Sequence, residues 1–348
     1  MSKWKGRASE SNPNSKFQHL QYERTQEFLP PDEEIPAPKT TIFLETPKKI
    51  LNEVNSQDIG FKWSLNPYQG CEHGCMYCYA RPTHEYWGFG AGLDFETKIV
   101  VKKNAAELLR KELSKPTHKV GAAMLSGNTD CYQPIEKEHG ITRELLKVFL
   151  EFKHPVSIVT KNHLVLRDLD ILSELAKLNL VHVNLSINCL DETIRRKLEP
   201  RTATSIQRLK CIEELSKHNI PTGVLVAPVI PGINHTDIPE ILKQASAHGA
   251  SFATYILVRL NGPLGGLFEE WLDINFPDRK QKVMHQIAEC HGGTVQDNNP
   301  ATRMRGEGVL AQSIAQLYRI AHKKYFKHDK PPALDFNLYS HSGQLKLF

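Results

Sequence analysis

Phe61-Lys62-Trp63-Ser64-Leu65-Asn66-Pro67-Tyr68-Gln69-Gly70-Cys71-Glu72-His73-Gly74-Cys75-Met76-Tyr77-Cys78-Tyr79 carries an alternating strand through a turn cluster into three cysteines spaced C-x3-C-x2-C. The cysteines therefore follow the C-terminal end of a strand. Their number is informative. A structural zinc site closes with four ligands, whereas a 4Fe-4S cluster held by three thiolates keeps one iron free to bind something else.

Outward from this stretch the chain repeats strand and helix. Asn104 caps an expected helix over 104–115, and 119–125 reads as a short apolar strand ending in Ser126-Gly127-Asn128-Thr129-Asp130. Thr142 opens a helix to residue 153, ahead of a strand over 156–160. Leu166, Leu169, Leu172, Leu175 and Leu178 recur near the helical period, before a strand over 181–187. Helix 205–218, strand 222–229, helix 236–248 and strand 252–258 bring the count to about six strands. Such alternation means right-handed crossovers and a parallel sheet buried on both faces. Polar runs follow successive strands at 71–78, 126–130, 161, 186–188 and 231–234, at the edge where α/β proteins place their sites. So many convergent strand ends favour a barrel, complete or partial.

The flanks differ in character. Residues 1–45, interrupted by Pro30, Pro31, Pro36 and Pro38, read as a flexible or surface-draped tail, 46–260 as the core, and 261–348 as a helical extension with helices near 278–291 and 308–326. In the extension, Lys323, Lys324, Lys327 and Lys330 read as a solvated helix end or as phosphate contacts. The roles of Arg303 and Arg305 stay open between phosphate contact, lid and surface ion pair. Seven cysteines, three of them within eight residues, fit a reducing compartment in which thiols serve metals. No apolar run approaches the roughly 18 residues of a membrane span, and the N-terminus lacks a secretory apolar stretch, so a cytoplasmic protein is expected. A net charge of +5 suits an anionic partner without deciding one.

The C-x3-C-x2-C loop, with aromatic Tyr77 directly before its third cysteine, resembles the signature of the radical SAM superfamily. Thr160-Lys161, Leu185-Ser186-Ile187-Asn188, Leu198-Glu199-Pro200 and Val226-Ala227-Pro228 resemble its spore photoproduct lyase branch and the bacterial relatives of unassigned substrate; Phe268-Glu269-Glu270-Trp271-Leu272 and the stretch Arg303 to Gly308 resemble those relatives more than the lyase. The resemblance implies an α/β fold, a TIM-like partial (β/α)6 barrel. It implies that Cys71, Cys75 and Cys78 hold a 4Fe-4S cluster whose unique iron chelates S-adenosylmethionine, with a reducing donor of flavodoxin or ferredoxin type. One electron passed to the sulfonium then yields a 5'-deoxyadenosyl radical, which abstracts hydrogen from substrate. By position, Tyr77 lies near the adenine. Ser126, Gly127, Asn128, Thr129 and Asp130 hold the methionine amino group, Lys161 pairs with the carboxylate, Ser186 and Asn188 bond the ribose or methionine end, and 228–234 pass close to the adenine.

One departure stands out. Where the lyase has a hydrogen-returning cysteine near the end of the second strand, this chain has Gly127, and its nearest thiol is Cys131, a relocated donor or a packing residue. Resemblance, basic charge and the aromatics Tyr79, Tyr86, Trp87 and Phe89 favour a nucleic-acid substrate, with bases stacked on rings. Two other readings remain. A zinc-stabilised, non-catalytic nucleic-acid-binding protein would recruit His73, His84 or Cys131 as fourth ligand, and an electron-transfer protein would leave Lys161, Ser186 and Asn188 without purpose.

Overall fold

The computed structural model describes residues 7–13, 15, 17 and 39–342. Its strands are β1 (Thr41–Glu45), β2 (Leu51–Glu53), β3 (Trp63–Leu65), β4 (Tyr68–Gln69), β5 (Lys98–Lys102), β6 (Ala123–Leu125), β7 (Val156–Thr160), β8 (Val181–Ser186), β9 (Thr222–Val229) and β10 (Phe252–Leu257). The helices are α1 (Leu93–Thr97), α2 (Ala105–Leu113), α3 (Glu136–His139), α4 (Ile141–Glu151), α5 (Leu169–Lys177), α6 (Glu192–Leu198), α7 (Ser205–Lys217), α8 (Ile238–Ala247), α9 (Leu264–Asn275), α10 (Lys280–Glu289) and α11 (Gly308–Tyr325).

β3, β6, β7, β8, β9 and β10 pair in that order, all parallel, and β2 adds an antiparallel edge beside β3. These are the six strands expected from the alternation. The helices between them bury one apolar face each: in α4, Ile141, Leu145, Leu146, Val148 and Phe149 recur at helical spacing and are buried, each side chain contributing roughly 1.5–3 kcal/mol. The capping box at Thr204 and Gln207 fixes the start of α7.

The structure also departs from expectation. The stretch expected as a turn at Tyr68-Gln69 is strand β4, antiparallel to β5, and β1 runs parallel on the other side of β5 in a second, three-stranded sheet. β1 lies inside the expected flexible tail, and Arg7, Ala8 and Ser9 of that tail are buried, so where the tail is described it is packed; most of the rest of 1–38 lies outside the described residues. The leucine-rich helix begins with a 3-10 turn, His163–Asp168, and α9 was not anticipated. α9 is no distant appendage: Leu264, Leu267, Phe268 and Trp271 share an apolar cluster with Cys75, Met76 and Tyr77. The C-terminal part is tied to the sheet by backbone, with the Leu257 N–H donating to Met304 O at 3.0 Å and the Leu260 N–H to Val295 O at 2.7 Å.

Candidate functional site

The cysteine loop leaves β3 and is held by its backbone. The Cys71 N–H donates to Phe95 O at 2.9 Å, the Met76 N–H to Leu198 O at 3.0 Å, and the Glu72 N–H to Gln133 Oε1 at 2.9 Å. Gly74 sits at φ +65, and a Cβ there would lie 2.7 Å from Glu96 Oε2, so both conformation and space require glycine. Arg81, fully buried, donates to the carbonyls of Gly74, Cys75, Ala91 and Gly92 and pairs with Glu96 at 2.6 Å. The same Glu96 carboxylate accepts the N–H groups of Ala8 and Ser9. A buried ion pair thus fastens the loop and the N-terminal segment together.

Cys71 and Cys75 are buried, Cys78 is half-buried, and the three thiols interact electrostatically. Burial pushes the Cys71 thiol up, and burial opposed by the nearby Lys161 leaves Cys75 at about 12. Thiols so disfavoured as free anions ionise when a metal replaces the proton. Among the described residues no three His, Cys, Asp or Glu side chains gather closely enough to cage one ion. Three thiols are the donor type that an iron-sulfur cluster takes, and they fall one short of the four ligands of a structural zinc site.

The residues expected as a fourth zinc ligand differ in their surroundings, and both His84 ring nitrogens are buried without a hydrogen-bond partner. His73 Nδ1 lies 3.3 Å from Asp130 and its Nε2 3.4 Å from Asn162 Nδ2, while the His84 ring is packed between Phe89 and Phe95. Cys131 is fully buried in the main core and does not line the cavity described below. Burial, and then Asp130, push its thiol up; its N–H donates to the Ser126 hydroxyl at 2.8 Å and its carbonyl accepts the Thr142 hydroxyl at 2.6 Å.

A cavity of about 1790 Å³ opens beside the loop. Cys75, Tyr77, Cys78, Ser126, Gly127, Asn128, Thr129, Asp130, Lys161 and Ser186 all line it, which brings together ten of the sequence-predicted residues from the ends of three strands and the loop. Cys71 and Asn188 lie behind this lining. Both polar side-chain atoms of Asn188 are buried without a partner, an unmet demand that a hydrogen-bonding ligand would satisfy. Asn66 Oδ1 accepts the N–H groups of Asn128 and Thr129, at 2.7 and 3.4 Å, and shapes the polar turn after β6.

Asp130 is an organiser. Its carboxylate accepts the Thr160 hydroxyl and the Lys161 N–H, each at 2.8 Å, and the Tyr132 N–H at 2.9 Å. Burial raises its pKa, but His73 and these bonds outweigh burial and hold it down to about 2. Lys161 stays cationic: burial works against its charge, and Cys75 and Glu199 prevail. Its ammonium stands 5.8 Å from the centroid of the Tyr77 ring.

Of the expected stacking aromatics, only Tyr79 faces the cavity. Its hydroxyl donates to the Gly127 carbonyl, and the Arg259 guanidinium lies 5.5 Å from its ring centroid. Tyr86 is exposed against Phe17, and Phe89 packs on Phe43, both away from the cavity lining, because the 3-10 turn Arg81–Trp87 carries them to the outer face. The lining is rich in cations. Lys161, Arg259, Arg303, Arg305, Arg319, Lys323, Lys324 and Lys327 line the cavity, against Asp58, Asp130 and Asp329. Arg303 is matched to Asp58 by two contacts of 2.5 Å, whereas Arg259 and Arg305 have no carboxylate within 4.0 Å among the described residues. The sequence hid Arg81 and Glu96, because each looks like an ordinary polar residue until the fold brings its partners near.

Comparison with known proteins places this geometry. The profile of the Radical SAM superfamily matches residues 65–245. An uncharacterized protein of Mycobacterium tuberculosis is 36% identical over 234 residues, covering 66% of this chain and 69% of the relative. A protein of Pseudomonas phage M6 named radical SAM Nalpha-GlyT isomerase is 29% identical over 265 residues, covering 75% of this chain and 50% of the phage protein. Spore photoproduct lyase, solved in complex with dinucleoside spore photoproduct, shares the fold with a TM-score of 0.56 at 15% identity, covering 82% of this chain and 80% of the lyase. The chain belongs to the radical SAM superfamily: it is a radical SAM enzyme, and its cofactors are a 4Fe-4S cluster and S-adenosylmethionine.

Proposed function

We propose that Cys71, Cys75 and Cys78 carry the cluster, that the enzyme cleaves S-adenosylmethionine reductively, and that its substrate is a nucleic acid. When bound, the cluster supplies one electron to the sulfonium, giving methionine and a 5'-deoxyadenosyl radical that takes a hydrogen atom from substrate. The observation that carries this reading is a loop of three cysteines, two of which line a large cavity together with the ends of successive strands.

The residues divide the work. Lys161 keeps its charge for the carboxylate of the cofactor, Ser186 on the lining, with Asn188 behind it, serves its ribose or methionine end, and the turn after β6 takes the amino group. Backbone carbonyls of that turn suit a cationic amine, since the Asp130 carboxylate and the Asn66 amide oxygen are both already engaged. The apolar backing of the loop by Phe268 and Trp271 keeps water from the thiols.

Support for a nucleic-acid substrate comes from the excess of cations on the cavity wall, from Tyr79 as a stacking face, and from the names of the phage isomerase and of the lyase solved with a dinucleoside product. A reduced flavodoxin or ferredoxin supplies the electron. Division of the chain into a core over 46–260 and an extension over 261–348 is part of the same proposal. The test is anaerobic turnover with deuterated oligonucleotides. Deuterium appearing in 5'-deoxyadenosine supports the substrate class; 5'-deoxyadenosine formed without deuterium from DNA or RNA refutes it.

A further inference from the structure

Glu199 is a fully buried carboxylate outside the cavity lining; besides helping to keep Lys161 charged, it makes contacts that the cofactor assignments above do not use. It accepts the hydroxyl of Tyr77 from the cysteine loop and pairs with the buried guanidinium of Arg208 on α7. Arg208 in turn donates to Ser186 O at 2.7 Å, Ala203 O at 2.9 Å and the Thr202 hydroxyl at 2.5 Å. Neighbouring backbone follows the same connection: Leu198 O accepts the Met76 N–H, and His73 O accepts the Arg201 N–H at 3.4 Å. One carboxylate therefore joins the thiol loop to the end of β8.

A buried charge of this kind is costly, and replacing such a group by apolar packing is often neutral or stabilising. Stability alone is thus a weak account of Glu199. What the arrangement fixes is geometry. The Tyr77 side chain cannot swing away while its hydroxyl is held, and Ser186 cannot drift from the loop while its carbonyl is held by Arg208.

We propose that Glu199 is a positioning residue which, through Tyr77 and Arg208, sets the spacing between the thiol loop and the end of β8 across which S-adenosylmethionine is bound. The inference rests on the cofactor-binding reading above and adds to it a determinant that does not touch the cofactor. The Tyr77→Phe change isolates it, since the ring stays and only the tether goes. Glu199→Gln weakens both arms, and the double variant completes a cycle.

The experiment measures the S-adenosylmethionine dissociation constant of anaerobically reconstituted wild type, Y77F, E199Q and the double variant, with iron content and melting temperature of the metal-free protein alongside. Loss of a hydrogen bond to a charged group predicts roughly tenfold weaker binding in Y77F with iron content unchanged. It predicts a double variant no weaker than E199Q alone. Unchanged affinity in folded, iron-loaded Y77F overturns the proposal, as does a melting-temperature loss in E199Q with affinity intact. Wild-type protein that binds no S-adenosylmethionine would instead refute the cofactor-binding reading itself.

Discussion

Glu96 and Gly74 carry the sharpest consequences of single side chains. Arg81 and Glu96 are both wholly enclosed, and Glu96 also receives two backbone N–H groups from the N-terminal segment. Glu96→Gln leaves a guanidinium buried without its counter-charge, a loss of about 3–5 kcal/mol, read as a fall of roughly 10 °C in the melting temperature of the metal-free protein. Gly74→Ala forces a side chain into a left-handed conformation against the same carboxylate. It is expected to cost about 1–2 kcal/mol and to lower iron retention after reconstitution, measured by iron and sulfide content. Equal iron content in G74A and wild type would show that the loop tolerates the change. Residue identity alone revealed the cysteines but not these supports. A thiol triplet announces its chemistry by spacing, whereas Arg81 acquires meaning from carbonyls up to eleven positions away.

Among the elements, strands β7 and β9 lie where the apolar runs at 156–160 and 222–229 place them, because burial on both faces writes a continuous signal into the sequence. β1 was illegible for the converse reason. Thr41 to Leu44 are exposed on an edge strand whose stabilising partner is the backbone of β5, so no alternation marks it, and prolines precede it. α9 was missed because its residues read as part of a glycine-containing loop, and its buried face is defined by the distant cysteine loop. The entry to β7 makes a testable acid response. His118 Nε2 and His154 Nε2 stand 3.2 Å apart, with Tyr339 of the C-terminal segment packed on both rings. Burial, and then His118, lower the His154 pKa to about 3, from an unfolded value of roughly 6.5. The neutral ring stabilises the fold fully above that unfolded value, and this contribution is lost progressively as pH falls from about 6.5 towards 3, since the unfolded chain binds the proton first. His154→Gln should flatten stability over that window in chemical denaturation. A profile as steep as wild type would remove the assignment.

For the whole molecule, a sheet of six parallel strands gathers a thiol loop, polar strand ends and cationic side chains around one cavity. If the cationic wall meets phosphates, single-stranded DNA binding weakens with salt, and Arg259→Ala and Arg305→Ala each make the log–log slope less steep by about 0.7. A slope unchanged in both variants would place the anionic partner elsewhere. Among the described residues no helix is long and apolar enough to cross a membrane. The central claim concerns the chemistry at the loop, and one assay reaches it most directly: anaerobic reconstitution with iron and sulfide, reduction, and chromatographic measurement of 5'-deoxyadenosine formed from S-adenosylmethionine. Wild-type protein with about four irons per chain is expected to yield it, and Cys75→Ala to yield none. Wild-type protein that holds one zinc and no iron, or that carries the cluster and never forms 5'-deoxyadenosine under any reductant, would contradict the account.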